Sequence, residues 1–259
     1  MVLAIDIGNT NTTIGLFDGN GILKIRSSLK TDNGKTADQH AIDFLFVFRL
    51  RGAEINSVDG AIISSVVPQL TAVVSEAIQI LIGKAPMIVG PGVKTGLNIK
   101  SEMHNQLGAD IVSSAVAAIR KYPSPVIVID MGTATTMTVL ANAVCEGCVI
   151  IPGVNLSLKA LSDHAAELPH ISIEPPLSII GRNTIEAMRS GVVYGNACML
   201  DGMIKRLEEA TFPAATVVAT GGNASKILRF CKREIVYDPD LLLDGLYLLY
   251  QKNAERHRK

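Results

Sequence analysis

Apolar residues Val2-Leu3-Ala4-Ile5 lead into Asp6 and, after Ile7, into a turn of glycine, amides and hydroxyls (Gly8 to Asn11). The chain then becomes apolar again up to Phe17. That pattern predicts a strand, a tight turn and a second strand. Farther on, residues 36–52 have helical spacing, 58–67 and 86–90 read as buried strands, and 75–83 reads as a helix. Residues 111–122 form a helical pattern that ends at Pro123. In the second half, 148–153 reads as a strand and 155–168 as a helix stopped by Pro169. A long helix follows from Asn183, where Asn183 and Glu186 have capping-box spacing. Residues 215–222 read as a strand entering a glycine turn, 223–233 as the helix after it, and 241–252 as a closing apolar helix. Strands alternating with helices predict an α/β architecture.

The opening pattern occurs twice. Ile5-Asp6-Ile7-Gly8-Asn9-Thr10 is matched by Ile129-Asp130-Met131-Gly132-Thr133-Ala134, and each is followed by an apolar strand. The aspartates lie 130 − 6 = 124 positions apart, about half of the 259 residues. A repeat of that period predicts two similar domains, 1–115 and 116–259, each opening with a hairpin.

Composition narrows the class. The chain is 48% hydrophobic and 19% charged, with 24 acidic and 24 basic residues. That balance excludes a disordered chain and gives no electrostatic pull towards nucleic acid or membrane. Apolar runs are too short for a membrane-spanning helix, and Met1 leads straight into strand-like sequence without a leader. Four cysteines in this length do not suggest a disulfide framework, so a reducing cytoplasm is expected. Residues 252–259 read as a polar tail.

The chemistry concentrates in the turns. Glycine lets backbone approach a ligand, and successive N–H groups can point at an anion. An aspartate at a strand end can hold a hydrated magnesium ion. Asp6 to Thr13 and the turn after Asp130 could therefore grip phosphates and metal, or each could be a hairpin whose Asp bonds its own turn. No Walker A loop or dinucleotide fingerprint is present. Gly221 and Gly222, between a strand and a helix, would admit a flat base or sugar, and the helix start would favour phosphate. They would equally make an ordinary strand-to-helix turn. Asp110 stands where a helix N-cap belongs and is either that cap or a general base. Cys145 and Cys148 form one isolated C-x-x-C, which is weak ground for zinc or redox chemistry.

Taken in order, "DIGNTNT" (6–12), "GAD" (108–110), "DMGTATT" (130–136), "IPG" (151–153), "GRNT" (181–184) and "TGGNA" (220–224) resemble the type III pantothenate kinase, or Bvg accessory factor, family. The resemblance spans nearly the whole chain. It implies the actin/sugar-kinase/Hsp70 (ASKHA) fold, two RNase-H-like domains around a nucleotide cleft, and a homodimer. It implies a cytoplasmic enzyme that phosphorylates pantothenate with ATP in the first step of coenzyme A synthesis, using magnesium and potassium or ammonium. On that footing Asp6, Ile7, Gly8, Asn9, Thr10, Asn11, Thr12 and Thr13 would hold the ATP phosphates, with Asp6 also taking magnesium. Asp130 would bind the monovalent cation, and Thr133, Gly221 and Gly222 would contact ATP. Gly108, Ala109 and Asp110 would line the pantothenate pocket with Asp110 as base, joined by Ser101 and Ile111, and by Thr184 across the dimer.

The acceptor side departs from the family pattern. Ile111 stands where the family usually has arginine, and Ser101 where it has an aromatic residue. A missing guanidinium removes charge-assisted hydrogen bonds worth about 1.5–3 kcal/mol each. Two alternatives follow: an ASKHA kinase for another small alcohol, or a nucleotide-binding regulatory paralogue.

Overall fold

A computed structural model describes residues 1–100 and 106–254. Among these, one compact unit takes residues 1–97, 106–117 and 240–254, and a second takes 98–100 and 118–239. The break expected at 115/116 lies between Ala117 and Ala118, and the last segment of the chain returns to the first unit.

In the first unit, β1 (Val2–Ile7), β2 (Asn11–Phe17) and β3 (Leu23–Lys30) form an antiparallel meander. The strand β4 (Gly60–Ser65) lies parallel to β1, and β5 (Met87–Ile88) parallel to β4, giving the order β3-β2-β1-β4-β5. One face buries Ile5, Ile7, Ile14 and Ile63 against α1 (Ala37–Leu50) and α2 (Pro68–Ile82). The other buries Val2, Ala4, Phe17 and Ile62 against α3 (Ala109–Lys121) and α7 (Leu241–Ala254). The helix α1 is started by a capping box at Thr36, which accepts from the Gln39 N–H while the Gln39 side chain bonds back to the Thr36 N–H. A cap of this kind contributes about 1 kcal/mol.

The packing of α7 explains why the chain returns. A Cβ on Gly245 would lie 1.8 Å from the Ser113 carbonyl oxygen, so glycine there lets α7 seat directly on α3. Tyr247 stacks on Phe17 at 4.8 Å. The expected polar tail is shorter than residues 252–259, because Lys252 to Ala254 complete α7. Asn253 is buried, donating to the Lys94 carbonyl and accepting from the Lys94 N–H.

The second unit repeats the plan. Here β7 (Val126–Met131), β8 (Ala134–Ala141) and β9 (Val144–Pro152) form the meander, and β10 (Thr216–Thr220) and β11 (Val236–Tyr237) add in parallel. The order β11-β10-β7-β8-β9 mirrors the first sheet, with the two-residue β6 (Asn98–Ile99) extending it beyond β9. Its core packs Ile127, Ile129, Met131 and Met137 against α4 (Val154–His164), α5 (Thr184–Ala210) and the single turn α6 (Ala224–Ile227). The sequence repeat is thus a repeat of topology.

Three local expectations change. The box at Asn183 is half formed: its side chain accepts from the Glu186 N–H, but the Glu186 carboxylate turns to the Leu177 N–H and to Arg189. The helix expected over 223–233 stops after one α turn and one 3-10 turn. Asp201 of α5 captures the Lys232 and Arg233 N–H groups, and that contact overrides the local helical pattern. The helix α4 ends at His164, before Pro169.

Candidate functional site

Asp6, next to last in β1, has Thr13 of β2 and Ser64 of β4 in register on either side. Registered neighbours share a sheet face, so two hydroxyls flank the carboxylate. Ser64 is fully buried, and its hydroxyl has no hydrogen-bond partner. The following turn closes through a bond from the Gly8 N–H to the Asn11 carbonyl, 3.0 Å. Gly8 is half-buried, while Asn9, Thr10 and Asn11 are exposed. Ile7 and Thr12 point into the core instead, and the Thr12 hydroxyl bonds Thr31 at 3.1 Å. Next to Thr31 opens a polar cavity of about 430 Å³, lined also by Lys30, Asp32, Asn33, Lys35 and Asp43.

The start of α3, which holds Asp110, borders the same strand end through Val66. The Val66 N–H donates to the Ile7 carbonyl at 3.0 Å, and Val66 in turn borders Gly108 at the start of α3. Gly108, whose carbonyl accepts from the Val112 N–H at 3.1 Å, is therefore the cap of α3. Asp110 lies two residues inside the helix, which corrects the capping position read from sequence. Its Oδ1 accepts from the Ile111 N–H at 2.8 Å and would lie 2.3 Å from a Cβ on Gly108. Burial pushes the Asp110 carboxyl above its ordinary value, against the opposing pull of its first-turn amides. Gly108 and Ala109 border it, and the Ile111 side chain is half-buried. Ser101 lies outside the described residues.

In the second unit Asp130 is next to last in β7, flanked in register by Thr136 of β8 and Thr220 of β10. Two segments wrap its turn. Gly221, at φ +93°, packs so tightly that a Cβ would lie 2.6 Å from Asp130 Oδ1 and 2.7 Å from the Met131 backbone. Asn223 donates its N–H to the Met131 carbonyl at 3.3 Å and accepts from Asn155 at 3.1 Å. Gly153 donates to the Thr133 carbonyl at 3.1 Å. Gly222 faces open space. The one-turn α6 has little dipole to offer a phosphate, so the helix-start argument for this turn weakens.

Thr184 opens α5 on the wall of an apolar groove of about 730 Å³ between α4 and α5. Burial pushes the Cys145 and Cys148 thiols up, away from the thiolate that zinc or redox chemistry uses. Thr31 and Ser64 escaped sequence reasoning, and Asn223 entered it only as part of "TGGNA"; each gains its place through strand register or a turn contact.

The profile of the type III pantothenate kinase family matches residues 2–206. A curated type III pantothenate kinase from Bacillus cytotoxicus is 40% identical over 255 residues, covering 98% of this chain and 97% of that protein. Among solved structures, a Campylobacter jejuni protein described as a Baf family transcriptional activator aligns with TM-score 0.62 at 18% identity, covering 98% of this chain and 99% of that one. The ADPNP-bound activator of 2-hydroxyisocaproyl-CoA dehydratase from Clostridium difficile aligns with TM-score 0.58 at 13% identity, covering 100% and 97%. At these identities the structures carry fold alone, and that fold is the expected pair of RNase-H-like α/β units of the ASKHA class.

Proposed function

The chain belongs to the type III pantothenate kinase family, and from that membership we propose that it transfers the γ-phosphoryl group of ATP to the primary alcohol of pantothenate, the first step of coenzyme A synthesis. The observation that carries the assignment of roles is the grouping, near one strand end, of the Asp6–Thr13 turn with a half-buried carboxylate, Asp110, whose pKa is raised by desolvation.

Phosphoryl transfer asks for positioning and charge neutralisation. The Gly8–Asn11 turn binds the triphosphate through backbone donors. Asp110 accepts the proton as the pantothenate hydroxyl oxygen forms its bond to the γ-phosphorus. The bond from that phosphorus to the β–γ bridging oxygen breaks, and ADP leaves with the electron pair. Asp6 offers a hard carboxylate oxygen among hydroxyls, a donor set that fits magnesium, which would neutralise phosphate charge. Asp130 lies in a cradle that a Cβ on Gly221 would fill, and it fits potassium or ammonium. Thr133 and the open face of Gly222 suit contacts with ATP.

Incubating the purified chain with ATP, magnesium, potassium and pantothenate tests the reading. Pantothenate-dependent ADP release with a phosphorylated product is expected, and ADP release indifferent to pantothenate would overturn it. Ile111 favours one second reading, a different small alcohol as acceptor, which an acceptor screen decides. The family's regulatory name finds no support in the Campylobacter likeness, which is one of fold.

The raised Asp110 carboxyl has a kinetic consequence. Activity requires its ionised form, so kcat/KM for pantothenate falls as pH drops through the raised value. The acidic limb of the pH profile is expected above the ordinary aspartate range, and a limb within that range would contradict Asp110 as base.

A homodimer belongs to the same proposal. Leu156, Leu161, Leu177, Ile179, Ile180 and Ile185 are exposed on or near α4 and the start of α5, Leu177 to 90%. Exposed apolar clusters of this kind mark interaction surfaces, and Thr184 stands beside them. Sedimentation at twice the 27.5 kDa chain mass is expected. The enzyme is placed in the cytoplasm with its soluble substrates, and no described helix is long and apolar enough to cross a membrane.

A further inference from the structure

We propose that Thr31, just beyond β3, is a positioning residue for the nucleotide-phosphate turn; the inference rests on the reading of that turn given above. Thr31 reaches the turn at three points. Its Oγ1–H donates to the Gly8 carbonyl at 2.7 Å, and its N–H donates to the Thr10 carbonyl at 3.0 Å. Its Oγ1 also lies 3.1 Å from the Thr12 hydroxyl. A hydroxyl has one proton. Because Thr31 gives its proton to Gly8, it must accept the proton of Thr12. The result is a directed chain, Thr12 to Thr31 to Gly8, in which each bond polarises the next.

The chain sets where the turn's donors point. In a planar trans peptide the carbonyl and the next N–H face opposite ways. With the Gly8 oxygen held by Thr31, the Asn9 N–H is aimed away from Thr31. With the Thr10 oxygen held likewise, so is that of Asn11. The Asn11 carbonyl is taken by the Gly8 N–H. Three of the turn's carbonyls are thus withdrawn from the surface where a triphosphate would meet them as repelling dipoles. Thr12 is 3% exposed, so its hydroxyl serves phosphate only through this relay.

Thr31→Val keeps the shape and the N–H bond but deletes the hydroxyl; Thr31→Ser keeps the hydroxyl. Binding of a non-hydrolysable ATP analogue is measured by calorimetry beside KM and kcat, with melting temperature as the control. Thr31→Val is expected to weaken analogue binding and raise KM for ATP by roughly tenfold, leaving KM for pantothenate unchanged. Thr31→Ser is expected to restore both. Thr12→Val, which removes the upstream donor, is expected to move the same quantities in the same direction by less.

Wild-type analogue binding by Thr31→Val would overturn the inference, as would equal losses in Val and Ser that track a lower melting temperature. Should Thr31→Val fail to fold, analogue binding by Thr12→Val decides, a wild-type value being contrary. If the wild-type protein binds the analogue without phosphorylating pantothenate, the functional reading falls while the binding comparison still judges Thr31. A wild-type protein that binds no analogue overturns both.

Discussion

Asp110→Asn is expected to lower kcat for pantothenate phosphorylation by roughly 10²- to 10⁴-fold, the usual range for loss of a positioned general base. The substitution preserves shape, and the amide oxygen can still accept from the Ile111 N–H now held at 2.8 Å. What it removes is the capacity to take a proton. ATP binding, assigned to the hairpin after Asp6, should survive.

Stability gives an independent check with a definite sign. Burial raises the folded pKa of Asp110 above its unfolded value. The native state therefore binds more protons between the two values, and stability falls as pH rises through that window. Above it the ionised side chain is a net liability to the fold. At neutral pH the Asn variant should then melt no lower than the wild type. Lost activity with an unchanged or higher melting temperature identifies a group kept for chemistry. Parallel loss of both would make Asp110 a structural helix-start residue.

Much of this was legible in the chain, for physical reasons. Buried strands such as Val2–Ile5 and Val126–Ile129 are continuous apolar runs, and the duplicated aspartate-glycine turns announce themselves by composition. The strand β3 was not legible: alternation through Leu23, Ile25 and Leu29 is interrupted where Ser27 occupies an inward position. Thr31 was hidden with it. Register was equally invisible. Nothing in the residues around Ser64 says that this hydroxyl, rather than Ser65, comes level with Asp6 in a parallel pair 58 positions apart. The position of Asp110 slipped by two residues because Gly108 supplies the cap carbonyl without a capping side chain. The short helix after Gly221 shows the limit of local pattern, since Asp201 on a distant helix ends it. Residues whose role depends on what lies beside them had to await the fold.

Gly153→Ala is expected to damage stability and nucleotide affinity together, although its φ of −69° suits any residue. The constraint is proximity. A Cβ at 153 would lie 2.2 Å from the Thr133 carbonyl oxygen and 2.6 Å from that of Gly132. Both are backbone atoms that cannot swing aside, so either the second aspartate turn or the start of α4 must move. Forced overpacking of this kind costs about 3 kcal/mol, or roughly 6–12 °C of melting temperature in a chain of this size. The displaced Thr133 and Asp130 should also raise KM for ATP. Gly147→Ala, on the strand β9 that leads into Gly153, is the control, because nothing lies within 4 Å of its Cβ position; it should stay within about 0.5 kcal/mol of the wild type. Thermal melts and ATP saturation curves on the pair decide the matter. If the two variants melt alike, the contact from Gly153 yields cheaply, and the second turn is not held in place by α4 as its geometry requires.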